Sequence, residues 1–301
     1  MTKRRDYNVI TWYINDICNF QCEYCFVWKN MVKISLLNLD KIKESLDMLA
    51  PNWVFNISGG EPFMDKNFVE ICQSITKKHI IGGLYTNLSL PNVFDFADQI
   101  KADKVGYIDA SIHIIEREKR DPKLSHFIEK IIYLQNKGFK ILATYVPHPS
   151  LINRVEKDVE LLKSNGVENV RMKNFVGIYQ DKYYPTAFTQ DERKLLQRIG
   201  MDEIEFDVQS LSHYYFSKLC YSGVDFFVMD RFGNLKRCVS SNKTYGNLFE
   251  KNISFDKNPR PCPVKDYICI QDCLLNSIDK KANFFLCQKE VLMEKIRQKF
   301  N

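Results

Sequence analysis

Between residues 7 and 175 the chain alternates two kinds of apolar pattern, and this alternation restricts the fold more than any other feature. Residues 7–14 are rich in β-branched and aromatic side chains and read as a strand. Residues 53–58, 80–86, 105–112, 140–146 and 169–175 follow as five more. Helical spacing fills the intervals, first at Ile42, Leu46 and Leu49 within 40–49, then over 67–78, 92–101, 123–137 and 151–165. Gly138 and Gly166 stand just past two of these helices, where a left-handed residue commonly ends one. Thr189 and Glu192 form a capping box that opens a seventh helix. Such alternation builds βαβ units and a parallel sheet. Six strands are too few to close an eight-stranded barrel, so a doubly wound sheet and an open barrel both fit. After about residue 200 the alternation stops and Cys, Pro and Asn take over, which puts a domain boundary near 200–218.

A chain of 301 residues can hold one large domain and a small one. The net charge of +6 is dispersed, and the only basic run is Lys3-Arg4-Arg5, which argues against a nucleic-acid partner. No segment has the apolar length for export or membrane crossing, so the expected compartment is the cytoplasm, where thiols stay reduced. Ten cysteines in that setting call for ligation instead of disulfides. They fall into two groups: Cys18, Cys22 and Cys25, then Cys220, Cys238, Cys262, Cys269, Cys273 and Cys287. Cys72, in the apolar run Phe68-Val69-Glu70-Ile71-Cys72, reads as a small core residue.

The run Cys18-Asn19-Phe20-Gln21-Cys22-Glu23-Tyr24-Cys25 directly follows the first strand. Three thiolates can hold a four-iron cube and leave one iron open to a reactant. A zinc site would need a fourth ligand, and the nearest His in sequence is His79. Ser58-Gly59-Gly60-Glu61-Pro62 closes the second strand; paired glycines admit a ligand close to the backbone, and a carboxylate accepts from an ammonium group. The CxxxCxxC run closely resembles that of the radical S-adenosylmethionine superfamily, and Gly59-Gly60-Glu61-Pro62 falls where that superfamily carries its GGEP motif.

The resemblance implies an α/β fold, a partial (β/α)6 TIM-like barrel with a small C-terminal Cys-rich iron–sulfur domain. It puts a [4Fe-4S] cluster on Cys18, Cys22 and Cys25, and S-adenosylmethionine beside it. Tyr24 would lie by the adenine, and Gly59, Gly60 and Glu61 would hold the methionyl amino group. Asn87 and Ser111, at the ends of the third and fourth strands, would contact the ribose or the methionyl carboxylate; His113 would point into the mouth of the barrel or serve structure. The implied reaction cleaves S-adenosylmethionine reductively to methionine and a 5′-deoxyadenosyl radical, which takes a hydrogen atom from the substrate. The implied electron donor is of flavodoxin or ferredoxin type.

The second cysteine group opens with Cys220, Gly233 and Cys238, twelve residues separating the first two and four the last two. Phe232-Gly233-Asn234-Leu235 reads as a hairpin turn, followed by Tyr245-Gly246-Asn247-Leu248. This resembles the opening signature of the SPASM and twitch auxiliary iron–sulfur domains. The remainder has one cysteine fewer than the full SPASM pattern and one spacing longer by a residue. By analogy Cys220, Cys238 and Cys273 would share one auxiliary [4Fe-4S] cluster and Cys262, Cys269 and Cys287 another. A single four-cysteine cluster and a zinc ribbon stay open as alternatives. The expected division is a barrel over 1–205 and an auxiliary domain over 206–301.

The first strand begins almost at once, leaving no room ahead of it for a leader-peptide-binding domain. That favours a small polar metabolite, such as a sugar, nucleotide sugar or nucleoside, over a ribosomally made peptide. A non-catalytic zinc or electron-transfer protein is a third class, and it leaves the GGEP motif unexplained. Residues 175–185, with Tyr179, Tyr183 and Tyr184, read either as a substrate loop or as a segment whose tyrosines pack against the C-terminal domain. His148 and Lys173 are candidates for contacting an anionic group.

Overall fold

A computed structural model describes residues 7–25, 37–51, 53–119, 124–201, 206 and 216–263. Six parallel strands lie side by side in chain order: β1 (Asn8–Tyr13), β2 (Trp53–Ser58), β3 (Ile80–Thr86), β4 (Val105–Ser111), β5 (Ile141–Tyr145) and β6 (Val170–Met172). Helices connect them: α1 (Leu39–Met48), α2 (Phe68–Lys78), α3 (Val93–Gln99), α4 (Ile114–Lys119), α5 (Leu124–Asn136) and α6 (Val155–Ser164). The sequence pattern marks all of these except α4, whose six residues are too few to read a period from. The architecture is the α/β, parallel-stranded partial (β/α)6 barrel.

Local chemistry fixes the ends of the helices. Asn38 caps α1 by accepting from the Lys41 N–H. At the other end of α5, Gly138 takes φ +86° and the Phe139 N–H returns to the Leu134 carbonyl; Gly166 and Val167 close α6 in the same way. Thr189 and Glu192 satisfy each other's backbone N–H groups at the start of α7 (Gln190–Arg198).

Strand alternation divides the sheet into two chemistries. Ile10, Trp12, Phe55, Ile57, Leu84, Ile108, Ala110, Ala143 and Tyr145 face the helices and join Ile42, Leu46, Ile71, Phe96, Phe127 and Leu162 in one core. Cys72 is fully buried in that core, as a small apolar residue. The face opposite the helices carries Thr11, Asn56, Tyr85, Tyr107, Asp109, Ser111, Thr144 and Arg171, a polar set. Gly83 is needed there, because a Cβ would stand 2.7 Å from the Tyr107 hydroxyl oxygen.

The region after residue 216 adds to the same sheet. Strand β10 (Phe226–Met229) pairs in parallel with β1, and β11 (Asn234–Lys236) and β12 (Thr244–Asn247) follow antiparallel. Gly233 makes the β10–β11 turn at φ +86° with its Cα against Phe249, in the turn read from Phe232 to Leu235. Residues 177–184, read as a loop, instead fold as a hairpin of β7 (Gly177–Tyr179) and β8 (Lys182–Tyr184). A short ladder joins β9 (Leu219–Cys220) to β13 (Arg260–Pro261). Among the described residues no helix is long and apolar enough to cross a membrane.

Phe227 of β10 is fully buried, with its ring against those of Trp53, Tyr245 and Phe255. Phe227→Ala is expected to destabilise the protein by about 3–5 kcal/mol in urea unfolding, as for other buried aromatic truncations. A loss under about 1 kcal/mol would show that β10 contributes little to the sheet.

Candidate active site at the strand ends

The loop after β1 and the loop after β2 are fastened to each other through their backbones. The Gly60 N–H donates to the Asn15 carbonyl at 2.9 Å, and the Glu61 N–H donates to the Ile17 carbonyl at 2.6 Å. The Asn15 side chain completes the join by donating to the Glu61 carbonyl and accepting from Gly60 and Ile17. This contact explains the glycine pair. A Cβ on Gly60 would lie 1.9 Å from the Ile17 carbonyl oxygen, and one on Gly59, at φ +142°, would lie 2.5 Å from that of Asn15.

Glu61 is buried, and its carboxylate accepts from the Thr86 hydroxyl (2.7 Å), the Asn87 N–H (2.6 Å) and the Phe63 N–H (3.2 Å). Burial pushes its carboxyl up to about 7, opposed by those donors and by the Arg117 guanidinium. The side chain therefore ties the GGEP loop to the end of β3. Asn87 in turn donates from Nδ2 to Asn19 Oδ1 (3.0 Å) and to Cys18 Sγ (3.8 Å). Three strand ends converge in this way on the cysteine loop.

The three thiols of that loop lie within electrostatic reach of one another. Burial pushes the Cys18 thiol up to about 11, with Glu61 and Cys25 adding to the shift. Burial also raises Cys22, followed by the charges of Glu116, Cys25 and Cys18. Thiolates that repel one another in a half-buried site need a cationic centre to ionise together, and a metal supplies it. The Phe20 N–H, 3.4 Å from Cys18 Sγ, and Asn87 Nδ2 already point donors at one sulfur. Among the described residues no three His, Cys, Asp or Glu side chains gather tightly enough for a single metal ion.

Tyr24 reaches across to the end of β4, where its hydroxyl lies 2.8 Å from His113 Nδ1. Burial, then the charges of Arg117 and Lys173, lower the His113 imidazole to about 3, so it is neutral. Phe175 and His148 complete an aromatic patch around Tyr24, and His148 also packs edge-on against Tyr179. Ser111 sits half-buried on the inner face, beside Thr144 and Arg171 in register. One step deeper, Asp109 Oδ2 lies 3.9 Å from Arg171 Nη1.

Sequence reasoning missed four residues that organise this region. Asn15 is one. On α4, buried Glu116 accepts from the Gln21 N–H inside the cysteine run at 2.9 Å, and buried Arg117 donates to the Ile112 and Asn87 carbonyls. Arg231, beside the β10–β11 turn, pairs with Asp16 at 3.3 Å, two residues ahead of Cys18. A buried charge in a six-residue helix carries no periodic signature; the adjacent Glu-Arg pair after an inner-face strand is the one clue.

Of the C-terminal cysteines, Cys220, Cys238 and Cys262 are among the described residues; Cys269, Cys273 and Cys287 lie outside them. The β9–β13 ladder sets Cys220 opposite Arg260, and the Cys262 N–H donates to the Lys218 carbonyl. Arg237, next to Cys238, donates to the carbonyls of Ser222, Arg260 and Pro261. One guanidinium thus draws together backbone adjoining all three cysteines.

The geometry agrees with the comparisons to known proteins. The chain belongs to the Radical SAM superfamily, whose model matches residues 12–162, half of its length. Membership implies a [4Fe-4S] cluster and S-adenosylmethionine as cofactors. It is similar to an S-adenosylmethionine-dependent nucleotide dehydratase of Fibrobacter sp. (strain UWH6), 36% identical over 19% of this chain and 20% of that protein. It is also similar to the GTP 3′,8-cyclase of Haemophilus influenzae, 30% identical over 42% of this chain and 38% of that one. The matched stretches thus span well under half of these curated relatives. Two solved structures share the fold. Streptococcus suis SuiB bound to S-adenosylmethionine has TM-score 0.58 at 14% identity, covering 82% of this chain and 64% of its own. The enzyme anSMEcpe with bound AdoMet has TM-score 0.59 at 16% identity, covering 81% and 78%.

Gly60→Ala is expected to part the two loops while the sheet stays folded. After anaerobic reconstitution the variant should lose most of the iron of the N-terminal site, with unchanged far-ultraviolet circular dichroism. Full iron content in the variant would count against the backbone join as the support of the cysteine loop.

Proposed function

We propose that this enzyme takes a hydrogen atom from a small polar metabolite, in the class of sugars, nucleotide sugars and nucleosides. Cys18, Cys22 and Cys25 would hold the cluster, and the open iron would face S-adenosylmethionine beside Tyr24, Gly59, Gly60, Glu61, Asn87 and Ser111. When bound, the pair supplies a 5′-deoxyadenosyl radical. The chain's part is to bind, orient and exclude water. Tyr24, held by neutral His113 and walled by Phe175 and His148, offers an aromatic surface for the adenine. The backbone join between the two loops sets the cysteine loop against Gly60 and Glu61.

The observation that carries the substrate class is the inner face of the sheet. Thr11, Asp109 and Thr144 are each at most 2% exposed, and each has a buried oxygen with no hydrogen-bond partner among the described residues. Leaving such atoms unsatisfied costs about 1–3 kcal/mol apiece, so a ligand or water rich in hydroxyl groups belongs there. Asp109 accepts, the two threonines donate and accept, and Arg171 donates. A peptide side chain is the second reading, favoured by exposed Ile178 and Tyr183 on the β7–β8 hairpin.

Cys220, Cys238 and Cys262, joined through Arg237, support one or two auxiliary [4Fe-4S] clusters in a SPASM- or twitch-like region, with 206–301 as its extent and 1–205 as the barrel. They would relay electrons or bind substrate. An electron donor of flavodoxin or ferredoxin type and a cytoplasmic setting complete the reading.

Reconstituted wild-type protein is expected to hold about eight irons with one auxiliary cluster or about twelve with two. Changing Cys18, Cys22 and Cys25 together to Ala should remove about four irons and abolish 5′-deoxyadenosine release under reducing, anaerobic conditions. Retention of all iron would sink the assignment. A sugar or nucleoside fraction should stimulate that release in wild type and not in Asp109→Asn; stimulation by a peptide fraction alone would transfer the substrate class to peptides.

A further inference from the structure

Helix α4 sets two charged residues side by side in the interior, at Glu116 and Arg117, each about 2–3% exposed. Arg117 spans the ends of β3 and β4 through the Asn87 and Ile112 carbonyls and stacks over the Phe20 and Phe127 rings. Glu116 turns the other way. Its Oε2 accepts the Gln21 N–H at 2.9 Å, at the centre of the cysteine run and immediately before Cys22. Its Oε1 meets Lys119 Nζ at 3.3 Å, whose ammonium is exposed to solvent. A buried carboxylate on a backbone N–H makes a charge-assisted bond, stronger and shorter than a neutral one. The carboxylate thus sits one residue from Cys22 along the backbone.

We propose that Glu116 is a positioning residue with two separable effects: its oxygen fixes the Gln21 amide and so the spread of the three cysteines, and its charge lowers the reduction potential of the cluster they hold. The proposal rests on the reading that Cys18, Cys22 and Cys25 carry a [4Fe-4S] cluster. An anion buried beside a cluster opposes the incoming electron, and low local dielectric strengthens the effect. Arg117, the adjacent buried cation, over the Phe20 ring inside the cysteine run, limits how far the potential falls. Outer partners that orient ligands and tune a metal centre act in this manner.

The two effects separate in two variants of the full-length, anaerobically reconstituted holoenzyme. Glu116→Gln keeps an oxygen for the Gln21 N–H and removes the charge. It should match wild type in iron content and in the rate of iron loss to a chelator. The electron-paramagnetic-resonance signal that responds to added S-adenosylmethionine, which marks the N-terminal cluster, should titrate at a more positive potential. Glu116→Ala removes both effects; it should lose that cluster several-fold faster to the chelator, with the same positive shift. An unchanged potential in Glu116→Gln overturns the proposal, and so does a Glu116→Ala protein that holds its cluster as firmly as wild type. Absence of the responsive signal from wild type itself would instead remove the iron–sulfur assignment, and this proposal with it.

Discussion

The candidate site depends on one backbone-to-backbone join. The carbonyls of Asn15 and Ile17 accept from the N–H groups of Gly60 and Glu61, so two loops that are remote in sequence become one surface. Backbone groups this deep must be paired, and here each loop satisfies the other. Only glycine allows the approach, since any Cβ at position 60 would meet a carbonyl oxygen head-on. Once the loops are joined, Glu61 is carried to the end of β3 and Asn87 to Cys18. The cysteines are thus placed by a relay that begins in the sheet, where β1 and β2 share a continuous register from Asn8↔Trp53 to Tyr13↔Ser58.

Around this relay the interior is unusually charged. Glu61, Glu116, Arg117, Asp109 and Arg171 lie on or beside the strand ends, and four of the five are at most 3% exposed. Isolated, each would be expelled or neutralised. Together they are arranged in opposite pairs or bound to backbone: Glu61 with the Arg117 charge nearby, Asp109 with Arg171, Glu116 with Gln21 and Lys119. Such networks are weak sources of stability and strong sources of specificity in arrangement. The apolar core on the helix side supplies the stability; the polar side supplies the geometry.

The apolar alternation made the six parallel strands and most helices legible, because β2 and β3 run between the very residues where their periodic patterns start and stop. Gly138, Gly166 and the Thr189–Glu192 box were legible for a different reason: their backbone demands are local. CxxxCxxC and GGEP were legible as motifs, yet the immediate office of Gly60 is to admit the neighbouring loop, which spacing does not reveal. Glu116, Arg117 and Asn15 act through contacts 45 to 95 residues distant in sequence, or through single bonds to backbone, and leave no pattern. Likewise β10 is a four-residue apolar run whose parallel partner is the first strand, a pairing only tertiary structure discloses.

That pairing has a consequence for the order of assembly. Phe226–Met229 dock on a strand that lies more than two hundred residues earlier in the chain. Until they arrive, β1 is an open edge, with Val9 and Trp12 bare beside unsatisfied peptide groups. The strand that delivers the cysteine loop is therefore sealed on its second side only when β10 docks, and such distant closures are slow. Until then the edge that leads into the cysteine loop stays open, and the loop gains its final support only when Phe226–Met229 have docked.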